Sequence, residues 1–217
     1  MARVCVNAMA VIALMFCLPA SINAQPEPIR ILAFGASIIA GYGLEAQDAL
    51  PAQLETALRA RGIDATVINS GVSGETSAGG LARLDWALAD DPDLVIVDLG
   101  GNDALRGLDP QATEANLDAI VARLKQEKRG VLIAGMLAPP NLGADYAAAF
   151  NAVFRRVAER HDVVLYPFIL DGVVMDPKLN QEDGIHPNAA GVKVIVERML
   201  PSVLQAIERL DRRTSGS

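Results

Sequence analysis

Five short runs of almost uninterrupted aliphatic and β-branched residues, at positions 31–34, 65–68, 94–99, 131–134 and 163–166, constrain this chain more than any other feature. A strand apolar at nearly every position has no side to give to water, so it must be covered on both faces. Between the runs the apolar residues recur every three or four positions, which predicts helices over 49–60, 77–89, 113–126, 144–160 and 189–210. In the first of these Leu50, Leu54 and Leu58 stand four apart on one face. Strands alternating with helices in this way demand a parallel sheet between two helical layers, a three-layer α/β domain. Neither a repeat nor a linker interrupts the pattern, and only 25–28 and the tail 212–217 read as unstructured.

The first 24 residues stand outside it. Arg3 precedes an apolar run from 8 to 18, followed by Pro19 and then Ile22-Asn23-Ala24, the pattern of a secretory signal peptide cleaved after Ala24. The run is too short to span a bilayer, which needs about 20 apolar residues; an uncleaved N-terminal anchor is the other reading. Both cysteines, Cys5 and Cys17, lie in this segment, and Leu14-Met15-Phe16 before Cys17 lacks the small residues of a lipoprotein signal. Residues 25–217 therefore have no disulfide, no thiol nucleophile and no thiolate metal site. At about 190 residues they form one domain, large enough to hold by packing alone. A net charge of −7 works against phosphate backbones and anionic lipid, so nucleic-acid binding and electrostatic membrane docking are poor candidates.

In open α/β sheets chemistry gathers in the loops after the strands' carboxyl ends. The first loop, FGASIIAGYGL (34–44), sets Ser37 on a glycine-flanked turn, as a nucleophile, a helix cap or part of an anion cradle. After residue 24 the chain has two histidines, and imidazole is the usual base for a serine nucleophile. His161 ends a helix, where it faces the helix dipole. His186 sits in QEDGIHPNAAG (181–191) three residues after Asp183, close enough for the carboxylate to hold one ring nitrogen and leave the other free. The alternative is a surface loop with capping Asp183 and Asn188. Two further loops, NSGVSGET (69–76) and GGND (100–103), offer Gly74 amides and the Asn102 side chain as oxyanion donors, or else a turn and a helix cap.

Ser37, Gly74, Asn102 and His186, in that order, each just beyond a strand or in the last polar loop, resemble the four blocks of the SGNH (GDSL-type) hydrolase superfamily. SGETSAGGLARL, GGNDALRGLDPQATEANL and LAPPNLGADYAAAFNAVF resemble its bacterial periplasmic thioesterase, lysophospholipase and arylesterase branch. The resemblance implies a flavodoxin-like five-stranded sheet of order 2-1-3-4-5. It implies Ser37 as nucleophile, His186 as base, Asp183 as its orienter, and Ser37, Gly74 and Asn102 as the oxyanion hole. Neither metal nor cofactor is implied. A periplasmic monomer acting on small acyl esters or thioesters follows, without nucleic acid or stable membrane anchor. A carbohydrate acetylesterase, or a non-catalytic periplasmic binding module, are the other readings. One block departs: the family's Gly-Asp-Ser-Leu reads Gly35-Ala36-Ser37-Ile38 here. The segment 139–150 after the fourth run is the candidate acyl-binding wall.

Overall fold

The computed structural model describes the backbone of residues 27–214 and the side chains of 27–210; the leader assigned to residues 1–24 and its cleavage point lie outside the described residues. The five apolar runs form β1 (Ile29–Gly35), β2 (Ala65–Gly71), β3 (Leu94–Asp98), β4 (Gly130–Ala134) and β5 (Val164–Tyr166). They make one sheet in the order β2-β1-β3-β4-β5, every neighbouring pair parallel. Alternate residues of each strand divide the core. Ile31, Ala33, Leu94, Ile96, Leu132 and Ala134 face one layer. Leu32, Phe34, Val95, Val97, Val131 and Ile133 face the other.

The first layer consists of α2 (Leu50–Arg59) and α7 (Ala189–Thr214), the second of α3 (Ser77–Ala87), α5 (Pro110–Gln126) and α6 (Ala144–His161). Leu50, Leu54 and Leu58 are all fully buried against the sheet, as their spacing requires. Local chemistry sets the ends. The Asp109 carboxylate accepts from Gln111 N–H ahead of Pro110, so α5 begins three residues before the periodic stretch. Asn188 Oδ1 accepts from the N–H groups of Ala190 and Gly191 and opens α7. The tail was expected to be irregular from 212, but α7 continues to Thr214: Arg212 and Arg213 favour helix, and no glycine or proline intervenes before Gly216.

Two helical turns escaped the sequence pattern, α1 (Ser37–Ala40) and α4 (Gly101–Leu105), because four or five residues are too few to display a period. Both lie immediately beyond strand ends. Among the described residues no helix is long and apolar enough to cross a membrane.

Ile96 lies at the centre of the sheet with no solvent exposure, whereas Trp86 is 74% exposed. Ile96→Ala lowers unfolding free energy by about 2–5 kcal/mol, the range for truncating a fully buried aliphatic side chain. Trp86→Ala stays within about 0.5 kcal/mol, as expected at the surface. Chemical denaturation of the two variants checks the contrast.

Candidate active site

Register brings three loops together. Gly35 at the end of β1 stands level with Gly71 of β2 and Asp98 of β3, so the chain leaves all three strands side by side. Glycine is required at 35 by contact: a Cβ there would lie 2.5 Å from Asp98 O and 2.6 Å from Ile39 Cγ1. Ala36 N–H donates to Asp98 O at 3.2 Å, and the chain turns into α1 with Ser37 as its first residue. An N–H at that position has no carbonyl one turn back to bond, which leaves the Ser37 amide available to a ligand. Ala36 is the N-cap, and no side chain caps the turn.

The partner of Ser37 comes from the far end of the chain. His186 Nε2 lies 2.9 Å from Ser37 Oγ, and His186 Nδ1 lies 2.6 Å from Asp183 Oδ2. The other Asp183 oxygen accepts from the backbone N–H of Ile185 at 2.9 Å and of His186 at 3.0 Å. The ring bond first, and these amides with it, hold the Asp183 carboxyl down to about 2. An ionised Asp183 can only accept, so Nδ1 carries the ring hydrogen and a neutral His186 turns its Nε2 lone pair toward Ser37.

Gln181 and Tyr42 hold this histidine loop against the serine loop. Gln181 N–H donates to His186 O at 2.8 Å, while its side-chain amide donates to Tyr42 O at 2.7 Å and Pro187 O at 3.0 Å. The Tyr42 and His186 rings pack with centroids 4.6 Å apart.

Gly74 adopts φ +81°, a left-handed conformation that glycine supplies without a Cβ clash. Arg106 donates to its carbonyl at 2.7 Å. Asn102 lies within α4, and its amide donates one hydrogen to Glu75 O at 3.0 Å, leaving its second N–H without an acceptor among the described residues. Beneath this loop Arg83 acts as a clamp. It donates to both Glu75 carboxylate oxygens, to Ser70 Oγ and O at 2.8 Å, and to Gly35 O at 3.3 Å, with its guanidinium 4.3 Å from the Phe34 ring centroid. One planar cation thus joins the end of β1, the end of β2 and the residue after Gly74.

Ser37, Gly74, Asn102 and His186 all line one cleft of about 600 Å³. Its remaining wall is largely apolar, with Ile38, Met136, Leu137, Phe168 and Leu170 prominent. Such a space suits a hydrocarbon chain held beside a reacting carbonyl. The wall expected from 139–150 is only partly there. Pro139 and Pro140 line the cleft, but Phe150 is wholly buried and Tyr146 donates to Leu108 O. The wall instead extends backward to Met136 and across to Phe168, because α6 turns its aromatic side chains into the core. His161 is elsewhere, at the end of α6 with its ring against Asp118 at 2.9 Å. Among the described residues no group of three His, Cys, Asp or Glu side chains could hold a metal ion.

Sequence reasoning passed over Arg83, Gln181, Tyr42 and Asp98. The first three sit in ordinary helical or loop text that carries no pattern. Asp98 did leave a signal, as the one charged residue in an otherwise apolar run at 94–99.

Residues 33–194 match the GDSL-like lipase/acylhydrolase family. Esterase TesA of Pseudomonas aeruginosa is 39% identical over 180 residues, covering 82% of this chain and 90% of that protein. Thioesterase 1/protease 1/lysophospholipase L1 of Escherichia coli K12 is 39% identical over 170 residues, covering 78% and 80% respectively. The crystal structure of AlinE4, an SGNH-hydrolase family esterase, is 46% identical, covers 84% of this chain and 98% of its own, and superposes with a TM-score of 0.71. This chain belongs to the GDSL-like lipase/acylhydrolase family.

Proposed function

We propose that Ser37 is the nucleophile of this serine esterase, with His186 as general base, Asp183 as its orienter, and Ser37 N–H, Gly74 N–H and the Asn102 amide as the oxyanion donors. The observation that carries the reading is the 2.9 Å approach of His186 Nε2 to Ser37 Oγ, backed by an ionised Asp183 and opening into an apolar cleft. Ser37 Oγ bonds to the carbonyl carbon of an ester or thioester while its proton passes to Nε2. The tetrahedral oxyanion rests on the three donors; each such donor is worth about 10²–10³ in turnover. Nε2 then returns the proton to the departing oxygen or sulfur as its bond to the acyl carbon breaks. Water repeats the attack on the acyl-Ser37, giving its proton to Nε2, and the acid leaves as Ser37 recovers its hydrogen.

Substrates in this reading are small carboxylic esters and thioesters, with aryl esters and lysophospholipids in reach of the same carbonyl chemistry. The names of the relatives, an esterase and a thioesterase/lysophospholipase, support that range. Arg3, the apolar run 8–18 and Ile22-Asn23-Ala24 support export, with residues 25–217 working in the periplasm.

Three outcomes test the assignment. Ser37→Ala and His186→Ala each lower hydrolysis of p-nitrophenyl butyrate by about 10⁴-fold or more with circular dichroism unchanged, and His161→Ala leaves it near wild type. Loss in His161→Ala with retention in His186→Ala would overturn the roles.

The pH profile follows from the same groups. A base must be neutral to accept, so protonating His186 removes activity and kcat/KM falls on the acid side. Asp183, held at about 2, stays ionised throughout and adds no second acid limb above about pH 4. A profile flat between about pH 5 and 8 excludes the imidazole base.

The third concerns the uncapped turn at Ala36. Ala36→Asp supplies the missing N-cap acceptor of α1, worth about 1 kcal/mol in stability. It also holds Ser37 in place, raising kcat/KM by about 10- to 100-fold, the range that a misplacement of about 1 Å commands. An unchanged rate would show that the close contacts at Gly35 already fix the serine.

A further inference from the structure

The buried carboxylates near the cleft behave differently. Asp103 accepts from Ser77 N–H at 2.8 Å, from Ser77 Oγ at 2.5 Å and from Thr113 Oγ1 at 3.2 Å. Asp98 is 4% exposed, yet no hydrogen bond or ion pair among the described residues reaches its carboxylate, and burial alone pushes its pKa up to about 7. It lines the cleft that holds Ser37, together with apolar Ile38, Met136, Phe168 and Leu170. An acceptor that opens onto the cleft without a partner from the described residues is completed by whatever the cleft holds.

The position says what that something is. Asp98 stands level with Gly35, two residues before Ser37, and lines the same cleft as Ser37, so what meets it is on the part of the substrate near the carbonyl under attack. It sits at the inner end of the cleft, while Tyr42, Leu137, Val174 and Ile185 are exposed around the mouth. The leaving group must exit and water must enter through that mouth, so the inner end belongs to the acyl group that remains on Ser37. Near neutral pH the carboxyl is divided between its acid and ionised forms, and both keep an oxygen that accepts. A hydroxyl satisfies either form. An ammonium group could donate to either form too, but its charge would have to be desolvated, a cost that a hydroxyl avoids.

Resting on the esterase reading above, we propose that Asp98 is a specificity residue that accepts a hydrogen bond from a hydroxyl on the acyl chain, making 3-hydroxyacyl esters favoured substrates over their unsubstituted counterparts. The hydroxyl completes a carboxyl that an all-carbon chain leaves unsatisfied beside its own methylene groups.

Ethyl butanoate and the two enantiomers of ethyl 3-hydroxybutanoate, followed by pH-stat titration, test the assignment. In the wild-type protein the kcat/KM ratio of one hydroxy enantiomer to butanoate exceeds the ratio of their rates with hydroxide ion. Asp98→Leu lowers that ratio about tenfold, the order expected for one buried hydrogen bond. Asp98→Asn keeps an accepting oxygen and holds the ratio within about twofold of wild type, since its amide carbonyl replaces the lost carboxyl oxygen. A merely structural role would lower all three esters together and leave the ratio where it was. An unchanged ratio in Asp98→Leu overturns the proposal. So does a wild-type ratio at or below the hydroxide value for both enantiomers, which needs no variant to fold. Failure of the esterase reading is separate: it would show as butanoate hydrolysis that survives Ser37→Ala.

Discussion

β1 pairs with β2 along one edge and with β3 along the other, and Gly35 stands level with Gly71 and Asp98. Everything at the cleft depends on that register. A slip by one residue in either pair would turn Ile31 and Ala33 into the wrong layer, so burial on both faces locks it. Because both neighbours end at the same height, the turn carrying Ser37, the Gly74 loop and α4 with Asn102 leave the sheet together. The contacts at Gly35 then leave no room for even a methyl group to separate them. Fold stability and site geometry are here one constraint.

Arg83 extends the same constraint beyond the backbone. Strand pairing ends at Gly35 and Gly71, and past that point parallel loops have no ladder to align them. The guanidinium continues the alignment by joining Gly35 O, Ser70 and Glu75, while Asn102 closes the circuit through Glu75 O. A planar, fixed-charge donor with several N–H groups suits this task; a lysine could not satisfy as many acceptors at fixed angles. The charges are also sorted by solvation. Asp183, served by a ring nitrogen and two amides, is held at about 2, whereas Asp98, served by none, rises to about 7. Two carboxyl groups lining or flanking one cleft thus differ mainly through hydrogen bonding at Asp183 and burial at Asp98.

The sheet was legible because its cause is periodic. Each apolar run became a strand, and Leu50, Leu54 and Leu58 marked a buried helical face, since hydrophobic burial repeats along the chain and leaves a trace in residue order. The sheet order followed from the resemblance rather than from any period. The proposed Ser37, Gly74, Asn102, Asp183 and His186 could be named from the sequence because each sits in a loop beyond a strand or in the last polar loop, and the fold brings Ser37, Gly74, Asn102 and His186 to one cleft. What stayed hidden depends on contacts between distant segments. Arg83 is one arginine among many until the fold sets it over Phe34, and Gln181 gains its meaning only from Tyr42, 139 positions away. The wall at Phe168 and Leu170 belongs to a stretch without helix or strand, so no period announced it.

That stretch is where the architecture places its least regular backbone against its most exacting geometry. Between β5 and α7 the chain has no strand or helix, only turns and one bridge between Asn180 and Pro187. Side-chain bonds replace the missing ladder. Asn180 donates to the carbonyls of Val173 and Asp176, Asn188 to those of Lys178 and Asn180, and Gln181 ties the segment to Tyr42. Asn and Gln suit this because each amide offers two donors that can bridge separate carbonyls. Below them Ile169, Leu170 and Val173 sink into the core beside α7, giving the segment an apolar footing. The imidazole is therefore held from both sides, by burial under its loop and by a polar mesh within it, and it reaches Ser37 without being built on a regular element.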